Sequence, residues 1–148
     1  MRFSSSIFVS SAFALFVVIF SGHSTSAQGT GSEPRLILKG YDPVAYFTEQ
    51  KPVRGTKEFQ LDFDGARYHF ASVRNRSSFN ADPDRYAPQF SGLCTAGLSM
   101  NKKVDADPAL WKIVDGKLYV FSSAKALEKA EQDPSLLTRA HQNWKAQK

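Results

Sequence analysis

Three spacings of apolar residues divide this chain. In the middle of it, Phe59, Leu61 and Phe63 alternate with polar residues, the pattern breaks at Asp64-Gly65, and it resumes with Tyr68 and Phe70. Alternation with period two predicts a half-buried strand, and Asp-Gly tolerates the positive φ of a tight connection, so this stretch reads as a β-hairpin. The plan recurs with Trp111, Ile113, the turn Asp115-Gly116, then Leu118 and Val120, and Trp111 is expected in the core. The segments that follow the two hairpins differ, so no internal repeat is predicted.

Helical spacing marks the end of the chain, where Leu136, Leu137, Ala140 and Trp144 form one apolar stripe for a helix from Ser135 to about Ala146. Ser123 to Gln132 is a second helical stretch. Ser72 is placed to cap a helix reaching about Asn80, and Asp82-Pro83 supplies an N-cap and first helical position for a turn ending near Tyr86. Asp107-Pro108 is expected to open another short turn, and Asp42-Pro43 a turn before Val44 to Phe47. The predicted class is α+β: a small antiparallel sheet built from two β-hairpins, with packed helices and a C-terminal helical segment.

The third spacing is no spacing at all. Ile7 to Phe20 is apolar without a charge, preceded by Arg2 and followed by Ser24-Thr25-Ser26-Ala27. A positive start, an apolar run of about 14 residues and a small-residue cleavage signal predict a secretory signal peptide over 1–27, cut before Gln28. The run is shorter than the roughly 18 residues a spanning helix needs, so no stable membrane insertion is expected after cleavage. Residues 28–35, Gly-rich and polar, read as a flexible leader, and 36–148 as a single domain. The predicted localisation is export, to the periplasm or the medium.

Composition then narrows the function. The net charge of +5 is mild, and no basic run is interleaved with stacking aromatics, which excludes nucleic acid as a partner. There is no Cys-x-x-Cys, no Gly-rich phosphate loop and no Ser-His-Asp pattern, so nothing argues for an enzyme. A protein partner or a metal ion remains. One cysteine, Cys94, lies between Gly92 and Gly97. An exported chain with a single cysteine cannot use it as an internal staple, which leaves a buried inert thiol, a metal ligand, a reactive thiol or an intermolecular bridge. Its small neighbours give the sulfur little bulk for shielding.

Two further residues join it. His69 lies between Tyr68 and Phe70 and so on the opposite strand face, as a solvent-facing or edge residue or as a partner for Cys94. Met100 follows Cys94 closely, and a thiolate with a thioether is a soft pair suited to copper, whereas imidazole with thiolate suits copper or zinc. Cys94, His69 and Met100 are the candidate metal ligands, with copper or zinc as the ion. The alternatives are a redox module in which Cys94 forms a sulfenic acid or mixed disulfide, and an interaction domain with a structural cysteine. His141 is expected to be merely solvated, and Asp42, Asp82 and Asp107, each before a proline, to serve as turns or caps.

The blocks "GYDPVAYF" (Gly40 to Phe47), "GARYHFASVRNRSSFNADPDRYAPQFSGLC" (Gly65 to Cys94) and "DPALWKIVDGKLYVF" (Asp107 to Phe121) together resemble the small secreted bacterial proteins that contain a YHS domain. The resemblance implies a metal-binding module, of the kind that accompanies copper-transporting ATPases and some multicomponent oxygenases. It also implies a departure: Ala45 and Ala71-Ser72 stand where metal-binding members have cysteines. In the branch with members described as selenoproteins, the selenocysteine falls at the position of Cys94.

Overall fold

The computed structural model describes residues 33–147. The predicted signal peptide and residues 28–32 of the leader lie outside the described residues. The fold is α+β, as expected. Its elements are β1 (Arg35–Leu36), α1 (Ala45–Thr48), β2 (Thr56–Phe63), β3 (Ala66–Phe70), α2 (Val73–Ala81), α3 (Pro83–Tyr86), α4 (Thr95–Ser99), β4 (Asp107–Val114), β5 (Lys117–Phe121), α5 (Ala124–Gln132) and α6 (Leu136–Ala146). Val44 to Phe47, after the Asp42-Pro43 turn, is thus mostly the short helix α1.

Both hairpins form where period two predicts them. In each turn the Asp and the Gly are left-handed, with φ of 49° and 70° at Asp64-Gly65 and 49° and 72° at Asp115-Gly116. Two successive positive φ values match the right-handed twist of the flanking strands. The hairpins do not merge into one sheet, however. β1 pairs in parallel with β3, giving a three-stranded sheet of order β1-β3-β2, while β4 and β5 form a sheet of their own. β1 takes the side of β3 away from β2, and a parallel bridge from Cys94 to Val120 lies on β5.

Ser72 and Ser123 cap α2 and α5, each hydroxyl accepting the backbone N–H three residues on at 3.1 Å. Asp82 does the same for α3, accepting from the Arg85 N–H at 3.2 Å. Asp107-Pro108 is a correction, because these residues begin β4 and open no separate turn. The Asp107 carboxylate accepts the Ala109 N–H at 2.9 Å inside an irregular strand start, where the register shifts before Trp111. A side-chain bond to the local backbone is the same chemistry in a turn and at a bulge, so the sequence signal is shared.

The segments around the two hairpins, expected to differ, also share a plan. Each hairpin is preceded by a tight turn with three left-handed residues, Leu38-Lys39-Gly40 in one case and Phe90-Ser91-Gly92 in the other. Non-glycine residues in this region cost roughly 1–2 kcal/mol each, so two such triplets are a costly feature to share by accident. Each hairpin is followed by a Ser-capped nine-residue helix and an Asp-Pro step, Asp82-Pro83 and Asp133-Pro134. From hairpin turn to Asp-Pro the two halves correspond at a constant offset of 51 positions. Within the described residues, two halves follow one backbone plan with largely different side chains.

β5 is the wall between two cores. Leu118 and Val120 belong to one buried cluster with Tyr46, Tyr68, Phe70 and Phe79, while Tyr119 and Phe121 belong to another with Phe90, Leu98, Leu136 and Ala140. Alternation of the strand sends neighbours to opposite faces, and both faces are packed. Trp111 is half-buried at the margin of the first cluster, its ring edge-on to Tyr46 at 5.2 Å.

Candidate functional site

Cys94 follows the second left-handed turn directly. Gly92 ends that turn at φ 73°, and its backbone approaches Ile37 so closely that a Cβ there would lie 3.3 Å from the Ile37 side chain. The backbone N–H of Cys94 donates to the Val104 carbonyl at 2.8 Å, and its sulfur caps α4 by accepting the Gly97 N–H at 3.4 Å. The sulfur also accepts the Ser122 N–H at 3.3 Å. Cys94 is 1% exposed. The expectation of a poorly shielded sulfur fails because the cover comes from distant segments, around Val104 and Val120 to Ser122, and not from the small residues beside it.

A cleft of about 210 Å³ reaches this residue and is lined by Cys94 and Met100, with Lys102, Lys125 and Lys129 at its walls. Met100 follows α4 directly and is 57% exposed, so its thioether is accessible where the thiol is not. The turn and a half of α4 joins the two sulfur residues. Three ammonium groups give the cleft positive charge, a feature that single residues scattered along the sequence did not signal.

His69 is elsewhere. It does not line the Cys94 cleft, and it is not solvent-facing either, being 7% exposed. The first left-handed turn lies on it: a Cβ on Gly40, at φ 84°, would sit 3.2 Å from its Nδ1. Gly55 packs against the backbone of the same strand, since a Cβ there would fall 2.4 Å from the His69 carbonyl carbon. Burial holds the imidazole below its ordinary pKa, helped by the positive charges of Lys57 and Arg67. The strand is simply covered on both faces, which alternation alone does not reveal.

Asp42 has a larger role than a turn. It is fully buried, and its carboxylate accepts from the Val44 N–H at 2.8 Å, the Ala71 N–H at 2.8 Å and the Asn75 amide at 2.7 Å. Only the first is local; the other two tie the start of α1 to the junction of β3 and α2. His141 is exposed, as expected, but it also makes side-chain contacts. Its Nε2 is 2.9 Å from the Tyr119 hydroxyl, and its ring is edge-on to Phe90 at 4.8 Å.

These positions test whether a metal fits. Among the described residues no group of three or more His, Cys, Asp and Glu side chains is placed to hold an ion. A closed tetrahedral zinc site, which takes four such ligands, is therefore not assembled by the described chain. The donor set that does share one cleft, a thiol and a thioether, suits copper(I). Ala45 and Ala71, at the positions where the resemblance implies ligands, contribute none.

Comparison with known proteins matches the model of the YHS domain to residues 44–90, from α1 through the first hairpin to the second left-handed turn. No curated protein and no solved structure matches the chain. The matched stretch contains His69 and the Asp42-bonded residues Val44, Ala71 and Asn75, but it ends before Cys94 and Met100. YHS domains as a family are associated with metal binding. With α1, α2, α3 and the first hairpin inside the match, residues 44–90 of this chain are similar to a YHS domain.

Proposed function

We propose that this is an exported module that binds one soft metal ion, copper(I) in preference to zinc(II), through Cys94 and Met100. The observation that carries the reading is that these two sulfur side chains line one cleft. Charge supports the choice of ion. A thiolate neutralises a monovalent cation, whereas a divalent one keeps a net positive charge beside Lys102, Lys125 and Lys129, where Coulomb repulsion is unfavourable. Two sulfur ligands leave an incomplete shell, closed by water or by a ligand from a partner protein, which suits an ion that is passed on. His69 has no place in this set.

A second reading has support of its own. The sulfur of Cys94 accepts the N–H at one strand-to-helix junction as the Asp42 carboxylate does at the other, which is what a structural cysteine in an interaction domain requires. The two readings separate in one experiment. Alkylation of Cys94 in the purified native chain is followed with and without Cu(I) held by a competing chelator. Saturable protection that Met100→Leu weakens supports the metal site, and labelling indifferent to Cu(I) supports the structural cysteine. Export is tested separately by the mass of the protein recovered outside the cytoplasm, which starts at Gln28 if the signal peptide is cut as read from the sequence.

A further inference from the structure

The two halves differ at the position of Phe79, and the difference leaves a hole. In the first half Phe79 of α2 is fully buried, with its ring 4.7 Å from Tyr68, 5.2 Å from Phe70 and 5.9 Å from Phe63. At the offset of 51 positions, these four residues become Ala130, Tyr119, Phe121 and Val114 in the second half. All four line one cleft of about 590 Å³ between the β4–β5 hairpin and helices α5 and α6. Two of the three aromatic walls are kept, as Tyr119 and Phe121, Val114 replaces the third, and the ring that fills the space between them in the first half is missing.

We propose that this cleft binds a small aromatic molecule, of the phenol or indole class, whose ring takes the place that Phe79 takes in the first half. The volume falls within the range of small-molecule sites, which are mostly apolar with a few polar groups that fix orientation. α6 adds Leu137 to the apolar wall and supplies Thr138 and His141 as hydrogen-bonding groups, with the Tyr119 hydroxyl and His141 Nε2 already 2.9 Å apart. Rings packed in this way prefer edge-on or offset contacts to the wall aromatics, as Phe79 makes edge-on with Phe63. Lys112 and Glu131, 3.3 Å apart at the rim, offset each other's charge, and Asp115 adds a carboxylate to the lining, so a neutral aromatic is favoured over an anionic one. The site involves neither Cys94 nor Met100, and it stands or falls independently of metal binding.

The test uses indole and p-cresol as probes on the whole chain, followed by NMR. Saturable binding with intermolecular NOEs from the probe to the Ala130 methyl and the Phe121 ring is expected. Ala130→Phe, which restores the ring of the first half, weakens binding by about tenfold or more. Phe79→Ala opens the matching space and creates a second indole site near Tyr68 and Phe70. Absence of saturable binding up to the solubility of the probes, NOEs to other residues, or unchanged affinity in a folded Ala130→Phe protein would each overturn the proposal. If Ala130→Phe does not fold, the wild-type NOEs alone decide.

Discussion

Asp42 and Cys94 hold equivalent junctions. The carboxylate of Asp42 accepts the N–H of Ala71 at 2.8 Å, and the sulfur of Cys94 accepts the N–H of Ser122 at 3.3 Å. Ala71 and Ser122 are each the residue between the last strand of a hairpin and the serine that caps the next helix. The backbones agree as well, with the Asp42 N–H donating to Val53 and the Cys94 N–H to Val104, both at 2.8 Å. One copy of the plan uses a hard acceptor here and the other a soft one.

That contrast sets their relative importance for stability. Asp42 satisfies three donors with short bonds, while sulfur is a weak acceptor and satisfies two with long ones. Asp42→Ala strands those donors in the interior and costs about 3 kcal/mol or more, whereas Cys94→Ala costs about 1–2 kcal/mol. Urea denaturation of the two variants measures the difference, and equal losses would show that the two residues pin their junctions equally.

The first core depends on Phe79 more than on Trp111. Phe79→Ala removes a fully buried ring from contact with three aromatic neighbours and costs roughly 3–5 kcal/mol. Trp111 is only partly covered, so Trp111→Ala costs about 2 kcal/mol, mostly its packing on Tyr46. Chemical denaturation gives both values, and a reversed order would mean that the hairpin margin carries the core.

His69 makes stability depend on pH. Its folded-state pKa lies below the ordinary 6.5, because burial, then Lys57 and Arg67, disfavour the imidazolium. The unfolded chain takes up the proton first as pH falls, so stability is full above about 6.5 and declines as pH drops from there toward the folded pKa. His69→Gln should flatten that decline between pH 7 and 5 in denaturation midpoints. An NMR titration of His69 with a midpoint at or above 6.5 would contradict the account.

The elements of the fold were readable in the chain because their signals are local. Asp64-Gly65, Asp115-Gly116 and the capping Ser72 and Ser123 act on residues within three or four positions of themselves. The repeat is carried in the sequence by Asp-Gly, the capping serine and Asp-Pro at the offset of 51, but its first part resides in backbone conformation: Leu38-Lys39 and Phe90-Ser91 take the same left-handed path with unrelated side chains. At the site, the proximity of Met100 to Cys94 followed from six residues of chain, but the burial of the sulfur came from Val104 and Ser122 and the covering of His69 from Gly40 and Gly55. Those contacts are long-range, and no local pattern encodes them. Ala130 shows the same limit, since an alanine reads as unremarkable until Phe79 is found at the equivalent place.

The most direct test of the metal-binding account is a titration of the purified chain with Cu(I) against a chromophoric chelator, run in parallel on wild type, Cys94→Ser, Met100→Leu and His69→Gln. The account predicts one ion per wild-type chain, loss of binding in Cys94→Ser, at least about a tenfold weaker Kd in Met100→Leu and an unchanged Kd in His69→Gln. Full affinity retained in Cys94→Ser, or a loss confined to His69→Gln, would contradict it.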